Sequence, residues 1–361
     1  MQRVMANTRE RLEMRLQRAD ARVERIVEAG ANPRPRRVPE ERWWNHLVTL
    51  FNDENTLFER IGIDRGVFLD CLAFVRDVAW ETRGRQSVVR TNREKLFFLM
   101  TFLARGIDVL EIIVAPFIRT RNHVLVLVKN IARVFAPILT AGMVRFFNEV
   151  DPDVPQPALV VDCTVCQIRK PALNFDDAKR YFSGKHHLYC LKKVVCVNIR
   201  SGTAALVAKS FPGSVPDITI LRSHAGEVNA MLQGRSMLAD LGYRGAEHDV
   251  PTIIVCDQDQ AENRAKRVLV ECFFGRLKRL WSVFSTTWVL SENEFDLFFD
   301  LACGFTNIDV LHRPLREVDR DFNDGVLNII LNEQEVDEER RRAANEAYVQ
   351  RRRDRLGNRE N

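Results

Sequence analysis

The sequence predicts an α/β protein in which one mixed sheet is flanked by helices and preceded by an all-helical region. Three observations carry this. Residues 41–150 place apolar side chains at helix spacing and show almost no strand signal. Beyond the proline-rich joint DPDVPQP, short apolar runs, turn signals and helical stretches follow in the order β-β-β-α-β-β-α. A final helical stretch, ENEFDLFFDLACGFTNIDVLH, closes the set. With 361 residues, 46% of them apolar, the chain is long enough for two or three domains and a sizeable core.

The divisions expected are 1–40, 41–150, 151–315 and 316–361. Residues 1–40 read as a charged helix running into an exposed linker, GANPRPRRVPEE. The last stretch, from NEQEVDEERRRAANEAYVQRRRDR, is almost wholly charged and reads as a solvated helix or a disordered tail. Both ends fit ordinary solvated charge runs, and a basic arm touching DNA is their other use. The net charge of +5 says little by itself; arginines gather in both tails and around a few central segments. Eight scattered cysteines, several inside runs such as KKVVCVNI and TIIVCD, fit free buried thiols in a reducing compartment. MQRVMANTRERLEMRLQR is too charged for a signal peptide. The apolar region FFLMTFLARGIDVLEIIVAPF is interrupted by Arg105, Asp108 and Glu111, so no membrane span is expected. A soluble intracellular protein is the expectation.

Within the helical region, breaks at Gly106 and Pro116 divide residues 91–136 into three helices: one ending at Arg105, one from Asp108, and one opening at RTRNH. That order resembles a helix-turn-helix. Arg119, Arg121, Asn122 and His123 would open the third helix, with Lys129 and Arg133 further along, where basic groups suit phosphate contacts. A plain helical bundle fits the same pattern.

In the second half, ALVVDCT is a short strand ending in an acid, and LKKVVCVNIR, SGT and ALVAKSF form a hairpin. DITILRSHAGEVNAML is a helix with Asp217 at its start, and SMLAD and TIIVC are further strands. Asp162 and Asp240 close two of these strands. If the strands are parallel neighbours, both acids leave the same edge of the sheet, where α/β sheets place their sites. On the following helix, Val270, Phe273, Phe274, Leu277 and Trp281 share one face for burial. Glu271 falls on the adjoining stripe with Arg264, Arg267, Gly275 and Lys278. Carboxylates converging in a basic setting suit Mg²⁺ or Mn²⁺, which take hard oxygen donors and share them with phosphate. Two such ions roughly 3.5–4 Å apart serve in-line displacement at phosphorus. Singly, each acid also fits a turn residue or a surface charge.

The motifs resemble those of DDE transposases of the PIF/Harbinger superfamily. VVDCTVCQIRKP followed by YFSGKHHLY is similar to the family's Asp-Gly-Thr, Arg-Pro and Ser-Gly-Lys series. FPGSVPD resembles its Pro-Gly-Ser with a nearby Asp, LADLGYRG its Ala-Asp-x-Gly-Tyr, and NRAKRVLVECFFGRLK its last helix. These stand in order over residues 158–312. The resemblance implies an RNase H-like catalytic fold, with Asp162, Asp240 and Glu271 as the acids that hold two divalent metal ions and Asp217 as a supporting or alternative ligand. Lys185 and His186 would approach a phosphate. It also implies DNA cleavage by water and strand transfer by the freed 3′-OH, on element ends and target DNA. A nuclear setting, homo-oligomers and a separate Myb-like helper protein are further implications. Cys163 and Pro216 depart from the pattern, where the family has glycine and a polar residue.

Three rival readings remain. Cys163-x-x-Cys166 with His186 and His187 could hold zinc, though adjacent histidines on an extended segment point opposite ways. A domesticated relative would bind DNA without cutting it. An RNase H-type nuclease acting on RNA–DNA hybrids shares the metal chemistry but leaves the helical region unexplained.

Overall fold

The computed structural model describes residues 42–78, 80, 89–118, 120–146, 157–172, 174–256 and 261–357, with side chains from about 338 onward described only in part. The helix and linker expected over 1–40, the joint before Pro157, and Arg119 lie outside the described residues.

Helices α1 (Arg42–Leu50), α2 (Glu54–Ile61) and α3 (Arg65–Val75) are short, and Asp53 and Asp64 cap the second and third by accepting from Thr56 N and Val67 N. Helix α4 (Asn92–Val114) opens with a capping box between Thr91 and Glu94. It contains the break expected at Gly106, whose φ of 77° and ψ of −178° belong to a region essentially restricted to glycine. Gly106→Ala is therefore expected to lower stability by about 1–3 kcal/mol, although a Cβ there meets nothing within 4 Å. Urea denaturation of the two proteins checks this. Helix α5 (Arg121–Met143) follows, capped by Thr120.

The first strand, β1 (Leu159–Gln167), pairs along its whole length with antiparallel β3 (Leu188–Asn198) and, at its start, with parallel β6 (Met237–Ala239). β7 (Ile253–Val255) extends the parallel side. β2 (Phe182–Ser183), β4 (Ala204–Val207) and β5 (Phe211–Pro212) all pair with β3. The sheet is thus mixed, as expected, and the hairpin β3–β4 is in place. Two expectations change. Asp162 lies within β1 rather than at its end: nine residues of pairing with β3 satisfy the backbone well past the point where the apolar run stops. DITILRSHAGEVNAML forms two helices, α7 (Asp217–Ser223) and α8 (Ala225–Leu232), because His224 leaves helical geometry between them. A one-turn helix, α6 (Phe175–Lys179), precedes β2. The long helices α9 (Ala261–Leu280), α10 (Glu292–His312) and α11 (Arg320–Gly357) complete the chain.

The sheet separates two buried layers. Leu159, Val161, Met237 and Ala239 face α7 and α8, whereas Val160 and Leu238 face a larger layer with α9, α10 and the N-terminal helices. Helix α10 is nearly engulfed: Phe295, Phe298, Phe299, Thr306, Asn307 and Asp309 are all buried. Lys193 donates from β3 to Asp296 and Asp300 of this helix, at 2.8 and 2.9 Å. Helices α4 and α5 pack against one another, and α5 packs along α10.

Residues 92–143 bury much of their two helices in the larger core. Among the described residues, α5 is the one helix long and apolar enough to cross a membrane. Val124, Val128, Ile131, Phe135, Leu139 and Met143 give its apolar side a use inside the protein. Two of the basic groups expected to meet DNA here have acidic partners within the protein. Arg121 pairs with Asp108 and Glu111. Lys129 pairs at 2.7 Å with Glu294, the residue that also completes the α10 capping box. Long side chains one helix apart find acids within reach, and the sequence spacing does not reveal those acids.

Candidate active site

Parallel pairing of β1 and β6 sets Val160 opposite Leu238; Asp162 lies two residues further along β1, and Asp240 two residues further along the other chain segment, just past the end of β6. Strand parity turns Asp162 toward the α9 layer. Asp162 is half-buried, and its carboxylate accepts from Cys163 N at 2.7 Å. Burial first, and then the charges of Asp240 and Asp217, push its pKa from 3.8 up to about 6, while Cys163 N–H and Arg267 pull the other way. Asp240 caps a 3-10 turn, Leu241–Tyr243, by accepting from Gly242 N at 2.9 Å. A Cβ on Gly242 would stand 3.0 Å from that same oxygen, so the turn after the acid has little room for a larger residue.

Asp217 is the first residue of α7, with Pro216 in the capping position, so it is no helix cap. Its Oδ1 accepts from Lys192 Nζ at 2.9 Å, and Lys192 also donates to Val215 O. Cys163 faces the same side of the sheet. Burial above all, with the charge of Asp217 next, raises its thiol far above the ordinary range. Asp162, Asp217 and Asp240 therefore form one electrostatic neighbourhood seen from both faces of the sheet.

Glu271 stands apart from it. The α9 face predicted from spacing is buried as expected, with Val270, Phe273 and Leu277 fully enclosed and Phe274 and Trp281 nearly so. Glu271, one position round, leaves 60% of its side chain exposed and lies 4.0 Å from Arg267. The guanidinium of Arg267, not the Glu271 carboxylate, is the α9 group acting on Asp162. Among the described residues, no three His, Cys, Asp or Glu side chains stand close enough to hold a metal ion as a ready cluster. The donor chemistry nonetheless suits a hard divalent cation. Two carboxylates whose charges act on one another repel in a half-dry setting, and a cation between them relieves both the repulsion and the desolvation.

Basic groups surround this edge. Lys185 and His186 lie exposed in the β2–β3 turn. Burial first, then the charges of Lys185, Lys192 and Lys278, lower the His186 pKa, and Asp217 opposes them, so these groups share one neighbourhood. Lys278 fastens α9 to β1 by donating to Val165 O at 2.8 Å, which commits it to the fold. Arg264 is exposed on the outer stripe, and the space beside Gly275 is open. The zinc alternative does not survive the geometry. Cys163 belongs to the α7 layer and Cys166 to the α9 layer, on opposite faces of one strand. Two groups escaped the sequence reading: Lys192, whose partner is 25 positions away, and Tyr243, buried in the α7 layer.

Residues 161–307 match the family model described as DDE superfamily endonuclease. The match takes in Asp162, Asp217, Asp240 and Glu271 and ends within α10. It supports a nuclease of the transposase type for that segment and, with it, a DNA substrate. No curated protein and no solved structure matches the chain.

Proposed function

We propose that this protein is a metal-dependent DNA endonuclease of the PIF/Harbinger transposase type, built on an RNase H-like catalytic fold. The observation that carries the reading is that Asp162, on β1, and Asp240, just past the end of the parallel strand β6, lie close enough for the charge of one to act on the other, inside the segment that matches an endonuclease family. Asp162 and Asp240 would hold Mg²⁺ or Mn²⁺, and Glu271, one helical turn beyond Arg267, would complete the set from α9. Metal ions in such a site activate water and steady the leaving oxygen of a phosphodiester. The residues of the chain do the rest. Arg267 offsets the charge of Asp162 before substrate arrives and would meet a phosphate afterwards. Lys185 and His186 line the approach from the opposite side, where the DNA backbone is held by charge and not by sequence. Strand transfer by the freed 3′-OH, a nuclear site of action, homo-oligomeric assembly and a Myb-like helper belong to the same proposal.

Plasmid nicking tests it. Supercoiled DNA incubated with the protein should become open-circular with Mg²⁺ or Mn²⁺ and stay intact in EDTA. Asp240→Ala should remove the activity, and Glu271→Gln should weaken both nicking and calorimetric Mn²⁺ binding. Equal nicking by wild type and Asp240→Ala sinks the assignment. DNA binding without any nicking favours a domesticated binding protein instead.

A further inference from the structure

The C-terminal ends of α9 and α10 and the turn between α2 and α3 line an open cleft of about 650 Å³. Four arginines border it: Arg65 from α3, Arg276 and Arg279 from α9, and Arg313 just past α10. Acids hold three of them. Asp309, almost wholly buried, accepts from Arg276 Nη1 and from Arg313 Nη2, and Asp64 accepts from Arg313 Nη1 at 3.0 Å. Arg65 pairs at 3.2 Å with Glu54. Arg279 differs: it is exposed and makes no ion pair among the described residues. Burial lowers the Arg313 pKa; Asp64 opposes this, and the charges of Arg276 and then Arg279 add to it. Arg279 thus contributes to a repulsion that its own contacts do nothing to relieve. Glu59 and Asp64 share the lining, so a compact anion suits this cleft better than an extended acidic surface.

We propose that this cleft is a phosphate site that holds the DNA backbone away from the point of cutting, with Arg279 meeting the phosphate and Arg276 and Arg313 fixed beside it by Asp309. The inference rests on the DNA substrate of the proposed function and not on any metal ligand. Guanidinium groups present paired N–H donors that match phosphate oxygens, and an arginine held by an acid from behind keeps its place while it waits. The position suits a duplex. Arg279 lies just over two turns beyond Glu271 on α9, roughly 12 Å along the helix axis. That is about three or four base-pair steps of DNA lying beside the helix. The other wall comes from α2 and α3, which precede the segment that matches the endonuclease family, and Arg313 lies beyond its end. The N-terminal helices would therefore share in holding the substrate through this cleft.

Arg279→Gln tests this, because an exposed residue without an ion pair can change while the fold stays intact. The variant should melt at or slightly above the wild-type temperature, since its repulsion of Arg313 is gone. Fluorescence anisotropy with a DNA duplex in EDTA, over a series of salt concentrations, reads binding without cleavage. The variant should bind about tenfold more weakly at low salt. Its slope of log K against log [salt] should be shallower by about 0.9, the value for one phosphate contact. Arg279→Lys, which keeps the charge and loses the fork, should restore the slope but only part of the affinity. A wild-type slope in Arg279→Gln overturns the proposal. Wild-type protein that melts cooperatively but binds no DNA overturns the DNA-substrate reading and this site with it, and is told apart because the wild type already fails.

Discussion

Asp162→Asn is expected to abolish cation-dependent cleavage and, in the same molecule, to stabilise the metal-free fold above neutral pH. The first effect follows from replacing a hard anionic ligand by a neutral amide; misplacing the reacting groups by even a small distance costs on the order of 10²-fold or more in rate. The second follows from the setting of the carboxylate. Burial, with Asp240 and Asp217 adding to it, lifts its pKa from 3.8 to about 6, so the fold favours the protonated form. A group raised in this way contributes stability that is fully present below pH 4 and is lost as pH rises through 6. By pH 8 the ionised acid costs about 3 kcal/mol relative to a neutral group in its place. Asparagine keeps an oxygen that can accept from Cys163 N and carries no charge. Thermal denaturation in EDTA should therefore show the variant above wild type at pH 8 and level with it below pH 4. A variant no more stable at pH 8 would mean that the acid is not strained. Stability given up at a site of this kind is a recurrent cost of function.

Asn307→Ala should have the largest effect on stability among single changes far from the acids. Its side chain is buried in α10 and reaches two other elements. Nδ2 donates to Met143 O, at the end of α5, and to Ala204 O in β4, both at 2.8 Å; Oδ1 accepts from Ala204 N at 2.7 Å. Alanine removes three buried hydrogen bonds and strands polar backbone beside an apolar methyl, a loss on the order of 3–5 kcal/mol. Asn293→Ala, on the exposed first turn of the same helix, should be close to neutral. Guanidinium denaturation of the pair measures the difference. Because the bonds join a helix before the sheet to a strand within it and a helix after it, one cooperative transition should move, not one of two.

Much of the architecture was legible in the sequence because local patterns and packing agree. The β3–β4 hairpin, β6 and β7 announced themselves through apolar runs bounded by turns. The buried face of α9 followed from 3.6-residue spacing, and Gly106 marked its break in α4 by its own chemistry. What escaped depends on pairing between distant residues. The length of β1 is set by its partner β3, not by its own composition. Charges that looked free, on Arg121, Lys129 and Lys278, are held by Asp108, Glu111, Glu294 and a strand carbonyl. Glu271 shows the limit of a helical wheel: its stripe was right, but a stripe one position from the core face still lets a flexible side chain turn to solvent. The hydroxyl of Tyr243, fully buried and without a hydrogen-bond partner, had no signature in the sequence.

Lys192 and Lys193 sit side by side near the middle of β3, and each serves an opposite face of the sheet: Asp217 on one side, Asp296 and Asp300 on the other. Neighbours on a strand alternate sides, so a slip of one residue in pairing would carry each ammonium into the layer meant for the other. Each would then face a pocket built for its neighbour, with its proper carboxylates left unmatched, and buried charges tolerate such errors poorly. The adjacent lysines therefore act as a parity check during folding. They also restrict how the gene can change: a single-codon insertion or deletion in β3 on the N-terminal side of the pair would invert the check. Length variation among related sequences should accordingly collect in the turns and be absent from that strand.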